Sequence, residues 1–211
     1  MIRTNTMKLW GRANSTNVRK ALWCAAELGL KPEHIEVGGA FGGVDTPEYK
    51  AMNPNGLVPC LEDDGLVLWE SNTIVRYLAR RHGQPPFLPD GAVAWAEAEK
   101  WMDWASLSFA EPFKQLFWNR VRRTAEERDN AAMEQGRLAC ERLMRIADEA
   151  LSNRPFLAGE DLTIADIPLG CLAYAWFTMP IERPDLPHLT AWYERLCGRP
   201  AFQSAVMTPL T

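Results

Sequence analysis

The sequence predicts two units in tandem, a small α/β domain followed by an all-helical one. Three observations carry this reading. Before about residue 84, short apolar runs of strand character alternate with helical patterns. The segment GQPPFLPDG then places three Pro and two Gly within nine residues, a composition that interrupts regular structure. Beyond it, every long apolar pattern has the helical period. The boundaries read as 1–83 for the first domain, 84–91 for the linker and 92–211 for the second domain.

MKLWG (7–11) and HIEVGG (34–39) read as strands, with a helix from about Ser15 to Leu28 between them. Val18, Ala21, Leu22, Ala25 and Leu28 supply the apolar face of that helix, and Gly29 is a natural stop. Strand, helix, strand is the signature of a parallel βαβ unit. TPEYKAMNPNG reads as a short helix ended by Pro54 and Gly56. LVPCLED and LVLWE flank Asp63, Asp64 and Gly65, which signals a hairpin. Ser71 opens a helix through Arg81, giving the order β-α-β-α-β-β-α. In the second half, helices are predicted over about 92–119, 124–151, 163–178 and 187–198, with a short turn after Pro200. The 163 start is marked by a capping box, Thr163 with Asp166 three residues on, and by Leu162 and Ile167 as a staple.

Composition bounds the function. At 211 residues with 47% hydrophobic and 24% charged residues, the chain has the balance of a soluble globular protein. A net charge of −4 gives no reason to expect a nucleic-acid partner. The one basic cluster, Arg120, Arg122 and Arg123, is followed by Glu126 and Glu127 and reads as a solvated helix end. No apolar run approaches the roughly 20 residues a membrane span needs, and MIRTNTMKLW lacks the core of a secretory leader. Five scattered cysteines without a C-x-x-C pair, and three dispersed histidines, predict neither a metal site nor a disulfide framework. A reduced, cytoplasmic setting follows.

Three places can carry chemistry. Pro59 begins an apolar strand, where it cannot donate a ladder hydrogen bond. It is either an ordinary strand-initiating proline or a cis residue that turns the Val58 N–H and C=O toward an extended peptide ligand. Ser71 can cap its helix, whose free N–H groups attract a carboxylate, while Glu70 can take an ammonium. Together they suit an α-amino acid end group, although Glu-Ser before a helix is also plain capping. In GRANSTNVRKALW, Ser15 falls at the C-terminal edge of the first strand, where a βαβ unit places its ligands. Its hydroxyl is either a helix cap or a donor to a bound thiolate.

NSTNVRKA, NPNGLVPCL, ESNTIVRYLA and LAGEDLTIADI, in this order and spacing, resemble the glutathione transferase family over essentially the whole chain. The resemblance is to bacterial, serine-type, theta-like members. It implies a thioredoxin-like N-terminal domain and an all-α C-terminal domain, glutathione as co-substrate without a metal, a cytoplasmic homodimer and a detoxifying role. It also implies that Pro59 is the cis-proline, that Val58 pairs with the cysteinyl backbone, and that Glu70 and Ser71 hold the γ-glutamyl end. Ser15 matches the hydroxyl that supports the thiolate, with Asn17 as a second candidate. Family members often carry Lys, Arg or Gln just before the Val–Pro pair, where this chain has Leu57. Asn55 or an Arg of the second domain would then hold the glycine carboxylate, or glutathione is held weakly.

A small hydrophobic electrophile would bind near Trp104, Phe109, Phe113, Phe117 and Trp118, although an aromatic row at helical spacing more often belongs to a core. The expected reaction is conjugation of the glutathione thiolate to that electrophile. A glutathione-dependent disulfide reductase and a non-enzymatic assembly module on the same fold are the alternatives.

Overall fold

The computed structural model describes residues 7–210. Residues 1–6, read above as carrying no secretory leader, lie outside the described residues.

The first half forms a four-stranded sheet in the order β2-β1-β3-β4, from β1 (Lys8–Trp10), β2 (Glu33–Ile35), β3 (Cys60–Asp63) and β4 (Leu66–Trp69). β1 runs parallel to β2 and antiparallel to β3, and β3 pairs antiparallel with β4. Asp64 (φ 51°) and Gly65 (φ 83°) form the two-residue turn that the DDG signal predicts, both in the left-handed region such hairpins require. β2 stops earlier than HIEVGG suggests. The chain instead turns through Gly38, Gly39, Gly42 and Gly43, all with positive φ.

Alternation along the strands gives the sheet two apolar faces. Leu9 pairs with Leu61 on the face that joins the main core. Trp10 and Cys60, one residue on, belong to a second cluster with Tyr49, which stands on α2 (Pro47–Met52). Thr46 caps α2 by accepting from the Tyr49 N–H.

α1 (Thr16–Glu27) buries more than its predicted stripe. Besides Val18, Ala21 and Ala25, it buries Arg19, Lys20 and Trp23. The reason is tertiary: α1 touches α3 (Ser71–His82) on one side, and α7 (Asp166–Thr178) and α9 (Pro200–Ala205) of the helical half on the other. Trp23 lies against Gly170 of α7, where an added Cβ would come within 2.6 Å of the indole.

The helix predicted over 92–119 runs from 91 to 122. α4 (Gly91–Trp104) and α5 (Ala110–Phe117) are joined by a π-helical segment, Ala105–Phe109, and a second one, Trp118–Arg122, follows. Each π segment widens the turn and re-aims the side chains beyond it. α6 (Asn130–Ala150) begins at Asp129, which accepts from the Ala132 N–H, and α8 (Pro187–Cys197) completes the bundle.

The Thr163–Asp166 pair forms in one direction only: the helix starts at Asp166 with Ala165 at the cap position, and the Thr163 hydroxyl accepts from the Ala165 N–H at 3.2 Å instead of capping the helix. Asp166 accepts from the Thr163 N–H at 3.1 Å. It also accepts from the Leu157 N–H and from Trp192 Nε1–H, both at 2.9 Å, so the capping residue doubles as a core fastener. Among the described residues, no helix is long and apolar enough to cross a membrane.

Candidate functional site

A cavity of about 520 Å³ opens between the start of α1, the glycine turn at 39–41 and the wide-turned end of α5. It lies just past the C-terminal end of β1, where parallel α/β units place their ligands. The N-terminal end of α1, the positive end of its dipole, faces the same space.

Ser15 lines this cavity. It sits at the N-cap of α1 with extended backbone (φ −83°, ψ 125°), yet its side chain makes no capping hydrogen bond. The position is that of a cap, and the hydroxyl is left to point elsewhere. Asn17 lines the cavity as well, and its Oδ1 accepts from the Ser71 hydroxyl at 3.3 Å. That bond joins the first turns of α1 and α3.

Ser71 is therefore not the cap of α3 that its position suggested. It is the first helical residue, and Glu70 occupies the cap with φ 70° and ψ 111°. A non-glycine residue in the left-handed half of the map is strained, which is common at ligand sites. Glu70 is exposed and Ser71 buried.

The Val58–Pro59 peptide is cis, one of the two forms the sequence allowed. The preceding carbonyl, that of Leu57, accepts from both Tyr49 Oη–H and Asn53 Nδ2–H at 2.7 Å. Asn53 is buried and was not singled out by sequence. Its Oδ1 also accepts from the backbone N–H and side-chain amide of Asn55, both at 3.1 Å. Asn55 is thus engaged within its own turn, and Leu57 projects into solvent. Val58, Pro59, Asn55, Glu70 and Ser71 do not line the 520 Å³ cavity. Val58 lies beside its edge, within about 3 Å of where a Gly11 Cβ would stand.

The aromatic row divides between the two uses its spacing permitted. Phe109 is fully buried in the core, and Trp104 packs against that core. Phe113, Phe117 and Trp118 wall the cavity, with Phe113 stacked on Phe117 at 5.8 Å between centroids. Arg12, Lys20 and Arg122 also line it and were missed as site residues. Arg122 had been read as part of a solvated helix end. The π segment brings it back over Phe117, its guanidinium carbon 5.7 Å from the ring centre. Arg120 and Arg123 turn elsewhere, to the Pro180 carbonyl and to Asn119. Cys24, Cys140 and Cys171 are buried and do not line the cavity, and burial pushes each thiol well above its ordinary range.

A mixed four-stranded sheet carrying a cis-proline, joined through its first helix to an all-α half, with a cavity between them, defines a thioredoxin-like two-domain protein of the glutathione transferase type. Comparison with known families agrees. The family model "Glutathione S-transferase, N-terminal domain" matches residues 5–80, and "Glutathione S-transferase, C-terminal domain" matches 98–200. The chain is 41% identical to Glutathione S-transferase GstB of Escherichia coli K12 over 205 residues, covering 96% of this chain and 99% of that one. It is 31% identical to Glutathione S-transferase 3 of Zea mays, covering 95% and 93%. Among solved structures, it resembles the theta class glutathione S-transferase of Xanthomonas axonopodis pv. citri with glutathione bound. There the TM-score is 0.95 and the identity 54%, with 98% of this chain and 99% of that one covered. The chain belongs to the glutathione S-transferase family and is a glutathione transferase.

Proposed function

We propose that the protein joins the thiolate of glutathione to a small hydrophobic electrophile, with Ser15 as the group that supports the sulfur. The observation that carries this reading is Ser15, which lines the cavity at the positive end of α1 with a hydroxyl that makes no capping bond. A hydroxyl that donates to sulfur at a helix N-terminus stabilises the charged form of the thiol. Lowering a thiol pKa by about two units corresponds to roughly 2.7 kcal/mol and makes thiolate the main form at neutral pH. The thiolate attacks the electrophilic carbon, the carbon–sulfur bond forms as the leaving group departs with its electrons, and the thiol proton goes to water.

In this reading Asn17 assists at the sulfur, Val58 and Pro59 take the cysteinyl backbone, Glu70 and Ser71 hold the γ-glutamyl end, and Asn55 stands near the glycine end. The division into 1–83, 84–91 and 92–211 remains the proposed domain assignment. A homodimer is proposed too, supported by the apolar side chains of Leu66, Val67 and Trp69 exposed on the edge strand β4. A cytoplasmic setting fits five cysteines that are all free thiols.

Turnover of Ser15→Ala tests the reading. With saturating glutathione, kcat should fall about tenfold or more and the rising limb of the pH–rate profile should move to higher pH, with glutathione affinity little changed. Wild-type turnover in the variant would remove Ser15 from the role.

A further inference from the structure

The chain as a whole is acidic, with 27 Asp and Glu against 23 Lys and Arg. Its cavity is the opposite. Arg12, Lys20, Lys114 and Arg122 line it, and no Asp or Glu does among the described residues.

Each cation is held there by identifiable packing. Arg12 lies along the glycine turn: a Cβ at Gly39 would stand 3.0 Å from its Cδ and 3.2 Å from its Nε, and one at Gly38 would stand 3.5 Å from Nη1. Both glycines have positive φ, so the backbone itself makes room for the guanidinium. Arg122 rests on the Phe117 ring across the cavity. The two guanidinium groups feel each other: burial lowers the proton affinity of Arg122, and the charge of Arg12 lowers it further. Neither guanidinium meets a carboxylate or hydrogen-bond acceptor among the described residues.

Lys20 is the most telling. It is 5% exposed, lines the cavity, and has no ion-pair or hydrogen-bond partner among the described residues. Burial lowers its pKa, opposed in part by Cys171 and Glu70. Lys114 is the outer member, exposed and 4.0 Å from Glu111. A buried lysine with no ion pair among the described residues, in a cavity shared with two arginines that repel one another, is costly unless something negative completes it.

We propose that the electrophile taken by this cavity carries a carboxylate, held between Arg12 and Arg122 with its apolar body against Phe113, Phe117 and Trp118. The inference rests on the transferase reading above. Guanidinium forks match a carboxylate edge to edge, and the aromatic wall suits a planar ring. The reaction is nucleophilic aromatic or aliphatic substitution: the glutathione sulfur bonds to the ring or chain carbon, and halide leaves with the bonding pair. Glutathione has carboxylates of its own, so the test must separate the two sources.

The matched pair 4-chloro-3,5-dinitrobenzoate and 4-chloro-3,5-dinitrobenzamide differs only in that charge. Turnover of each with glutathione, divided by its uncatalysed rate constant, should favour the acid about tenfold in the wild type, the effect of one charge-assisted pair. Arg122→Gln and Arg12→Gln should each collapse that ratio. In parallel, protein saturated with S-methylglutathione is titrated with the unreactive 3,5-dinitrobenzoate and its amide. Because the glutathione site is then filled, preferential binding of the acid reports the second carboxylate alone.

Turnover of both compounds without acid preference would overturn the anionic substrate and leave the transferase reading intact. Binding of the acid without turnover would keep the anion site and overturn the transferase reading. A loss of S-methylglutathione affinity in the arginine variants, with the acid-to-amide ratio unchanged, would assign the cations to the glycine end of glutathione and overturn the proposal.

Discussion

Ser71 Oγ donates to Asn17 Oδ1 across 3.3 Å, so the starts of α3 and α1 are tied by a side-chain pair 54 residues apart in the chain. The bond sets the relative position of the two helix N-termini that converge on the proposed glutathione site. Asn17→Ala and Ser71→Ala should each weaken glutathione binding. Because the residues act through one bond, the double variant should lose less than the sum of the singles, by about 1 kcal/mol. Calorimetric titration of the four proteins measures this, and strict additivity would show the bond to be idle.

Glu70 holds φ at 70° where glycine would sit without strain. Glu70→Gly should therefore raise stability by about 1 kcal/mol while weakening glutathione binding, since the carboxylate proposed for the ammonium is gone. Thermal unfolding and titration of the same preparation read both effects. A variant that gains no stability would place the strain elsewhere.

Asp166 is fully buried, and burial pushes its carboxyl from 3.8 up to about 6 in spite of three donors. Between those values the folded protein keeps a proton that the unfolded chain has released. Stability should therefore fall as pH rises from about 4 to about 6 and level off above, a change of about 3 kcal/mol from this group. Urea unfolding across that range, with Asp166→Asn for comparison, gives the group's share as the difference in slope. Parallel curves for the two proteins would refute it.

At Gly170 an added Cβ would approach Trp23 Cζ3 to 2.6 Å, Cη2 to 2.9 Å and Leu196 Cδ1 to 3.0 Å. Gly170→Ala should cost about 1–3 kcal/mol through overpacking, and Trp23→Phe should recover part of that loss by removing the ring in the way. Melting temperatures of the single and double variants decide the point.

Much of this architecture is written locally. The Asp64–Gly65 turn and the Asp166 bond to the Thr163 N–H each depend on residues within a few positions, and each formed in its expected place. Ser15 was legible as a helix start, but whether its hydroxyl would cap was not, because that depends on a side-chain rotamer that residue type does not fix. Glu70 displaced Ser71 from the cap because a positive φ at a charged residue leaves no mark in composition. Trp23 and Lys20 stood on what looked like the polar side of α1, and only the approach of α7 and α9 buries that side. Arg12 and Arg122 are 110 positions apart, and a π segment decides where the second one points. Spacing carries no trace of such convergence.

Trp23 also meets Phe202 edge-on at 4.7 Å, and Glu27 of the same helix receives both arms of Arg199 at 2.8 Å. α1 thus has partners in both halves. A fragment ending at residue 83 would bare an indole and strand a carboxylate, so the halves are not interchangeable parts. Recombination between relatives should succeed best where the incoming helical half brings a residue as small as glycine opposite Trp23. The fit between the two halves is thus set at one point by the width of a single side chain.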